Sequence, residues 1–150
     1  YVIRNYALDD IVRQVVRKYA SQFIRRRLRL EYTPLNVSVI TDEKWLLFVI
    51  EQVLSNALKY TRSGSVSITL EAPKTLCIRD TGIGIAPEHQ SRVFERFYRV
   101  DKSHSKASGG TGLGLSIVKH AVAYHHGTLD LESQPGKGTT ITVTIPKKKS

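Results

Sequence analysis

The sequence predicts an α+β fold in which a layer of helices packs on a β-sheet. Apolar residues recur at helical spacing in three long segments, and about six shorter segments alternate apolar with polar residues. Short turns separate the later strands, which favours hairpins over crossover units. With 150 residues and 41% hydrophobic composition, the chain can build one good core. We therefore expect one domain, residues 1–150, with the architecture of a two-layer sandwich.

Two segments in the first half of the chain have the apolar stripe of a helix. The first follows Asp9 and Asp10, either of which could cap its start. Its stripe consists of Ile11, Val12, Val15, Val16, Tyr19 and Phe23. The second begins at Thr41 or Asp42 and continues to about Tyr60. Each predicted helix is long enough to cover part of a sheet.

Two further helices are expected in the second half. The spacing of apolar residues from Leu113 to about His125 predicts a third long helix, and Gly127 is placed to be its C-cap. Pro87 suits the first position of a short helix at about 87–96. Residues 99–111 lack periodicity and are rich in Ser, Lys and Gly, so we expect a loop there.

Strand patterns occupy most of the remaining sequence. The predicted strands are 6–8 (as an edge strand), 28–32, 37–39, 66–70, 75–78, 128–132 and 139–145. An Ala-Pro-Lys turn at 72–74 makes the fourth and fifth of these a hairpin, and Asp80 lies at the end of its second strand.

Composition limits the kinds of partner and the chemistry. The net charge of +10 favours a polyanionic partner: ATP, an acidic protein, anionic lipid or nucleic acid. No basic strand is interleaved with aromatic residues, so we do not expect nucleic acid. Cys77 is the only cysteine, which excludes an internal disulfide, and its apolar neighbours predict burial. No apolar stretch could span a bilayer. Because the chain begins with Tyr1, we expect a piece of a longer protein.

Two glycine clusters suggest that the backbone wraps around a phosphate-bearing ligand. They read Asp-Thr-Gly-Ile-Gly-Ile at 80–85 and Gly-Gly-Thr-Gly-Leu-Gly-Leu at 109–115, with a basic, aromatic run at 94–99 between them. The second cluster leads into a predicted helix, whose N-terminal amides could bind an anion. Either cluster alone could be an ordinary turn. Together with the polar face of the second helix, they favour a nucleotide.

That polar face carries Gln52, Asn56, Lys59 and Tyr60 at spacings of three to four residues. Asn56 could be a Mg²⁺ ligand or fill an internal polar gap, and both interpretations stay open. Lys59 could meet a phosphate and Tyr60 could cover an adenine ring. Asp80 could accept a hydrogen bond from an exocyclic amine, or it could be a turn aspartate.

Five segments, taken in order, resemble the motifs of the sensor histidine kinases. Residues 55–61 resemble their N box, 80–84 their G1 box, 94–99 their F box, 110–115 their G2 box, and 136–140 their last glycine-and-threonine motif. The match covers nearly the whole chain. It implies the catalytic, ATP-binding domain of a two-component kinase, related to gyrase, the heat-shock chaperones and the mismatch-repair ATPases.

The resemblance also implies a Bergerat-type fold, with about five strands in a mixed sheet on three helices and a flexible lid at about 86–111. The implied nucleotide contacts are Asn56, Lys59, Tyr60, Asp80, Gly82, Gly84, Ile85, Phe97, Gly110, Thr111, Gly112, Leu113, Gly114, Leu115, Thr139 and Thr140. The implied catalytic residues are Asn56, Lys59 and Arg99, and the implied metal ligands are Asn56 and Gln52. The cofactors would be ATP and Mg²⁺.

One departure from the family pattern bears on the reaction. Gln52 stands where the kinases commonly have asparagine and the hydrolysing relatives have a glutamate that activates water. Glu51 is one position away, which is about 100° of rotation on a helix, so it should not face the same water. An amide cannot act as a general base at neutral pH. This favours phosphoryl transfer over hydrolysis.

The five histidines do not match the family's phosphoacceptor, so the acceptor should lie on a separate dimerisation domain. The resemblance then implies transfer of the γ-phosphoryl group from Mg·ATP to that histidine, with a response regulator as the downstream partner. The isolated domain would be a monomer, and the parent a homodimeric, membrane-bound sensor with this domain in the cytoplasm. A hydrolase of the same fold, a non-enzymatic nucleotide-binding module and a nucleic-acid binder are the alternatives.

Overall fold

The computed structural model describes residues 3–90, 92–95 and 114–146 of the chain. The strands are β1 (Arg4–Ala7), β2 (Arg29–Thr33), β3 (Ser38–Thr41), β4 (Ser65–Glu71), β5 (Thr75–Asp80), β6 (Thr128–Gln134) and β7 (Gly138–Thr144). The helices are α1 (Leu8–Arg25), α2 (Glu43–Tyr60), α3 (Pro87–Gln90) and α4 (Gly114–Tyr124).

Five strands form a mixed sheet in the order β2-β4-β5-β7-β6. Only β2 and β4 pair in parallel, and the other neighbours are antiparallel. The strands β1 and β3 form a separate two-stranded sheet. The predicted α+β sandwich with a mixed sheet of about five strands is therefore confirmed, and the predicted hairpin of β4 and β5 is present.

The helices α1, α2 and α4 cover one face of the five-stranded sheet, and the core lies between the two layers. α2 is the central helix, because it packs against both α1 and α4 and also contacts β5, the middle strand. Leu46, Ile50 and Leu54 of α2 have no exposed surface. This register leaves the polar face of α2, identified in the sequence, at the border of the core.

The opposite face of the sheet is polar. Strand alternation places on it the side chains of Arg79 and Cys77 from β5, next to Thr140 and Thr142 from β7. Cys77 is therefore partly exposed, and the predicted burial of this cysteine is wrong. Its apolar neighbours, Leu76 and Ile78, point the other way into the core. None of the helices that the structure describes has the length and apolar composition needed to cross a bilayer.

The start of α1 differs from the prediction. The helix begins at Leu8, where the sequence predicts the end of an edge strand, and the N–H group of Leu8 donates to the carbonyl of Val37 at 2.8 Å. Asp9 and Asp10 lie in the first turn rather than at the cap. The Asp9 carboxylate instead accepts a hydrogen bond from the hydroxyl of Tyr32 at 2.5 Å. At α2 the prediction holds, since Asp42 caps the helix by accepting from the N–H of Lys44 at 2.9 Å.

The helix ends also differ from the prediction. At the end of α4, His126 rather than Gly127 has the left-handed conformation, with φ of 64°. Gly127 follows it because an added Cβ there would lie 2.7 Å from the carbonyl oxygen of Thr144. At the end of α1, Arg27 takes the same conformation, with φ of 56°. The helix predicted at about 87–96 is confirmed only as the short α3, and residues 92–95 form turns.

Candidate functional site

The polar face of α2 is present as the sequence predicts. Gln52, Asn56 and Lys59 are partly buried, and Tyr60, at the last position of the helix, is 41% exposed. The Nζ atom of Lys59 lies 5.9 Å from the centroid of the Tyr60 ring. Two amide oxygens, an ammonium group and an aromatic ring thus share one side of the central helix. These groups suit a hydrated cation, a phosphate and a flat base, respectively.

Glu51 faces a different side of α2, as its position on the helix predicts. Its Oε1 atom lies 2.5 Å from the Nζ atom of Lys18 on α1. This ion pair raises the pKa of the Lys18 ammonium group above its usual value through a hydrogen bond and the charge of Glu51. Glu51 is therefore engaged between α1 and α2, away from the face that carries Gln52 and Asn56.

The C-terminal end of α2 is held by the side chain of Arg26, the residue that follows α1. The guanidinium group of Arg26 donates to the carbonyl of Leu58 and, at 3.0 Å, to the carbonyl of Thr61. A cation at this end of a helix also interacts favourably with the helix dipole. The hydroxyl of Thr61 is fully buried, and no residue in the described part of the chain forms a hydrogen bond with it. The two hydrogen bonds from Arg26 therefore fix the end of α2 that lies nearest to Asp80, and with it the position of the polar face.

Asp80, the last residue of β5, is the central acidic group of the site. Its Oδ1 atom accepts hydrogen bonds from the N–H groups of Gly82 at 2.9 Å and Thr139 at 3.2 Å. Among the described residues, none donates to Oδ2. Burial raises the pKa of the Asp80 carboxyl group, and the bonds from Gly82 and Thr139 partly oppose that rise. A half-buried carboxylate whose Oδ2 atom has no donor among the described residues favours a neutral N–H donor as ligand.

Main-chain carbonyl groups lie so close to positions 82 and 84 that only glycine fits at either one. A Cβ added at Gly82 would come within 2.4 Å of the carbonyl oxygen of Tyr60. A Cβ added at Gly84, where φ is +73°, would come within 2.0 Å of the carbonyl oxygen of Gln134. The first glycine therefore lets the loop after β5 lie against the end of α2, and the second lets it lie against the hairpin of β6 and β7.

Main-chain bonds join these three parts at Ile83. Its N–H group donates to the carbonyl of Tyr60 at 3.1 Å, and its carbonyl accepts from the N–H group of Gly136 at 2.8 Å. The loop thus links the end of α2 to the turn between β6 and β7. The polar face of α2 and Asp80 consequently belong to one connected site.

The structure distinguishes the two threonines that the resemblance implies. Thr139 is opposite Asp80 in the pairing of β5 with β7, and its side chain is on the same side of the sheet. Thr140 is opposite Arg79, and its hydroxyl accepts a hydrogen bond from the Nε atom of Arg79 at 3.2 Å on the outer face. The side chain of Thr139 is therefore placed to meet a ligand at Asp80, whereas the side chain of Thr140 points away.

Two residues that the sequence reasoning missed hold this region together. The hydroxyl of Ser133 accepts from the N–H group of Ile85 at 2.8 Å and lies 2.8 Å from the hydroxyl of Thr139. The side-chain amide of Gln90 donates to the carbonyls of Ile85 at 2.7 Å and Ser133 at 3.0 Å. The sequence gives no pattern that predicts a role for Ser133 or Gln90, since serine on a strand and glutamine on a short helix are common. Only their positions next to the glycine motifs could have suggested one.

Several predicted site residues lie outside the described part of the chain. They are Phe97, Arg99, Gly110, Thr111, Gly112 and Leu113, together with most of the lid predicted at about 86–111. Gly114 is the first residue of α4, and Leu115 packs against the core. Within the described residues of the lid, the ring of Phe94 lies 5.1 Å from the Nζ atom of Lys119 on α4.

The predicted metal ligands are amide oxygens rather than a cluster of charged ligands. In the described ranges, no group of three or more histidine, cysteine or acidic side chains could hold a metal ion. Gln52 and Asn56 are one turn apart on the same face of α2. One or two protein ligands suffice for Mg²⁺ where a nucleotide supplies phosphate oxygens and water completes the shell. The residues present therefore fit that ion only together with a nucleotide.

A five-stranded mixed sheet under three helices, with a half-buried aspartate beside close-packed glycines, is the arrangement of an ATPase-like α+β domain. The chain belongs to the family described as histidine kinase-, DNA gyrase B-, and HSP90-like ATPases, which matches residues 41–149. More particularly, it is a histidine kinase catalytic domain, as its similarity to sensor histidine kinases shows.

Two relatives illustrate the sequence similarity. The sensor-like histidine kinase SenX3 of Mycolicibacterium smegmatis is 40% identical over 146 residues, covering 93% of this chain and 38% of the relative. The sensor protein SrrB of Staphylococcus aureus is 45% identical over 103 residues, covering 66% of this chain and 18% of the relative. The chain thus spans less than two fifths of the length of either protein.

Two solved structures illustrate the similarity of the fold. The mycobacterial sensor histidine kinase MprB has a TM-score of 0.77 and 31% identity, with 97% of each chain covered. Full-length ShkA in complex with AMPPNP has a TM-score of 0.83 and 26% identity, covering 96% of this chain and 31% of that one.

Proposed function

We propose that this domain binds Mg·ATP and transfers the γ-phosphoryl group to a histidine on a separate dimerisation domain of its parent kinase. The observation that carries the proposal is Asp80, a half-buried carboxylate beside the polar face of α2, whose Oδ2 atom has no donor among the described residues. A family of ATPases and a neighbour solved with AMPPNP support ATP as the ligand. Residues 1–150 form the catalytic unit in this proposal, with the lid at about 86–111.

Asp80 reads the base. Because Oδ1 already accepts two main-chain N–H groups, Oδ2 is the oxygen that meets the ligand. The 6-amino group of adenine offers the required N–H donor, whereas the 6-keto group of guanine would place an acceptor against a carboxylate. Thr139 stands beside Asp80 in this pocket, and Gly82, Gly84 and Ile85 form its wall. Tyr60, exposed at the end of α2, covers the ring.

Asn56 and Gln52 supply amide oxygens for Mg²⁺, and Lys59 places its ammonium group near the phosphates. When bound, Mg²⁺ neutralises charge on the phosphate oxygens, which is the main requirement of phosphoryl transfer. The chain's own residues orient the triphosphate between α2 and the start of α4. Arg99, Phe97 and the segment 110–113, all outside the described residues, complete the phosphate contacts in this proposal.

Transfer is favoured over hydrolysis because α2 presents no carboxylate on the face of Asn56. Glu51, the candidate base of a hydrolase, is paired with Lys18 on α1. Gln52 cannot take a proton from water at neutral pH.

The acceptor in this proposal is a histidine of the dimerisation domain. The parent kinase is a homodimer, and its isolated catalytic domain is a monomer. A response regulator then receives the phosphoryl group, and the domain acts on the cytoplasmic side of a membrane-bound sensor.

The test is calorimetric titration of ATP and GTP with and without Mg²⁺, followed by transfer to a supplied dimerisation domain. We expect ATP to bind and GTP not to bind, with Mg²⁺ strengthening the binding of ATP. Asn56→Ala is expected to remove the Mg²⁺ dependence and to abolish transfer. Asn36→Ala, which changes an exposed asparagine between β2 and β3, is the matched control and should change neither.

Three outcomes would count against the proposal. Transfer at the normal rate by Asn56→Ala would refute the metal site. Phosphate release by the isolated domain that is lost in Glu51→Gln would support the hydrolase instead. Binding of ATP without transfer to any acceptor would support a nucleotide-dependent interaction module.

A further inference from the structure

Ser133, on β6, occupies the junction between the loop after β5 and the hairpin of β6 and β7. Its hydroxyl accepts from the N–H group of Ile85 at 2.8 Å and donates to the carbonyl of Gly138 at 3.0 Å. It also lies 2.8 Å from the hydroxyl of Thr139. Ser133 is half-buried, so these three protein partners account for the hydrogen-bonding capacity of its hydroxyl.

A count of protons assigns the direction of the bond between the two hydroxyls. A serine hydroxyl has one proton and two lone pairs. If that proton goes to the carbonyl of Gly138, both lone pairs are left for Ile85 and Thr139. Thr139 must then donate its own proton to Ser133. If Ser133 donated to Thr139 instead, no proton would remain for the contact between Ser133 and the carbonyl of Gly138. Donation from Thr139 to Ser133 is therefore the one assignment that satisfies all three contacts.

This assignment determines what Thr139 can offer a ligand. With its proton committed to Ser133, the hydroxyl of Thr139 can only accept a hydrogen bond. Its main-chain N–H group is also committed, because it donates to Oδ1 of Asp80 at 3.2 Å. The side chains of Thr139 and Asp80 therefore present acceptors only. These acceptors can receive a hydrogen bond from an amino group at position 6 of a purine, whereas a keto oxygen there would place another acceptor against them.

We propose that Ser133 is a specificity-determining residue, which acts by holding the hydroxyl of Thr139 as an acceptor so that 6-amino purines are preferred over 6-keto purines. The inference rests on the proposed function, because it takes Asp80 and Thr139 as the base pocket. Ser133 does not touch the base. It is a positioning residue that acts through Thr139, and it extends base selection to a residue outside the family motifs quoted above.

The test compares the affinities of this chain for ATP and ITP, which differ at position 6 without the added 2-amino group of GTP. In Ser133→Ala the hydroxyl of Thr139 is free to rotate and donate to a keto oxygen. We expect the preference for ATP over ITP to fall about tenfold, the equivalent of one hydrogen bond. Ser133→Thr keeps the hydroxyl and should restore the preference of the original protein.

Gln90→Ala is the matched control for general loosening of the same junction. It removes two hydrogen bonds, to the carbonyls of Ile85 and Ser133, but leaves the contact between Ser133 and Thr139. We expect it to lower the affinities for ATP and ITP by the same factor, with an unchanged ratio. Thermal unfolding of each variant, measured without ligand, checks that all of them are folded.

The outcomes separate this inference from the proposed function. An unchanged ratio in folded Ser133→Ala, with equal losses for both nucleotides, would overturn the role of Ser133 as a specificity residue. A ratio that falls equally in Gln90→Ala would also overturn it, because loosening alone would then explain the effect. Failure of the proposed function would instead appear as absence of ATP binding by the unaltered chain, or as ATP binding that the Asp80→Asn variant retains in full.

Discussion

Replacing Asp80 with asparagine is expected to change ligand binding and the stability of the ligand-free protein in opposite directions. The amide oxygen of the new side chain would take the place of Oδ1, because that position accepts the N–H groups of Gly82 and Thr139. The amide NH₂ group would then face the ligand. A donor would then oppose the amino group of adenine, whose hydrogen bond the carboxylate accepts in the proposed function.

The size of the effect on binding follows from the hydrogen bond that is lost. A hydrogen bond to a charged group contributes about 1.5–3 kcal/mol, and about 1.4 kcal/mol corresponds to a factor of ten. Asp80→Asn should therefore weaken ATP binding by about 10- to 150-fold. The binding of inorganic triphosphate, which has no base, should not change.

The effect on stability follows from the raised pKa of Asp80, for which burial is the main cause. An acid whose folded-state pKa is raised contributes its full stability below the unfolded pKa and loses it as the pH rises through the folded pKa. At neutral pH the ionised Asp80 therefore lowers stability, and asparagine removes this cost. We expect a higher unfolding temperature at pH 7, by no more than about 3 °C, and a smaller difference in acid.

Isothermal calorimetry and thermal unfolding, run on the same preparations, measure both effects. Asp130→Asn is the matched control, since Asp130 is an exposed aspartate on the outer face of β6. Unchanged affinity for ATP in folded Asp80→Asn would refute the assignment of Asp80 as the base reader. A large drop in unfolding temperature would show that the charge of Asp80 stabilises the fold, contrary to the reasoning above.

Three further predictions concern stability. Arg27→Gly should raise the free energy of unfolding by about 1 kcal/mol, because the φ of 56° at this helix end suits glycine. Urea denaturation measures the change, and the control Arg25→Gly, within α1, should lower the free energy of unfolding. Thr61→Val should raise the free energy of unfolding by about 1 kcal/mol, because it removes a buried hydroxyl that has no partner among the described residues. A decrease in the same assay would reveal a partner for that hydroxyl. Burial lowers the pKa of His125, although the charge of Asp42 opposes this shift. The stability that His125 contributes is therefore present above its unfolded pKa of about 6.5 and declines as the pH falls. His125→Phe should flatten the dependence of the unfolding temperature on pH below neutrality, and an unchanged slope would contradict this.

The periodic parts of the fold could be predicted because each buries one side of a regular element. The apolar register of α2 places Leu46, Ile50 and Leu54 in the core and leaves Asn56 on its border. The same register predicts that Glu51 faces away from Asn56, and the structure confirms it. Such inferences need only the period of the helix and the cost of burying polar groups.

Contacts between distant segments could not be predicted in this way. The partner of Glu51 is Lys18, which is 33 positions away and depends on how α1 packs against α2. Thr139 and Thr140 are equivalent in the motif, and only the pairing of β7 with β5 shows which one faces Asp80. The sequence predicts Gly127 as the C-cap of α4 because glycine is common at helix ends, whereas the structure has the left-handed conformation at His126. Here the close approach of Thr144 also requires a glycine, at the next position.

The link at Ile83 has a consequence for sequence variation. Both of its hydrogen bonds, to Tyr60 and Gly136, use main-chain atoms, while its side chain is 43% exposed. Any residue other than proline can therefore make the connection, since proline alone lacks the N–H group. Position 83 can therefore vary, and with it the surface beside the proposed base pocket, while the loop after β5 stays joined to the end of α2 and to the turn between β6 and β7.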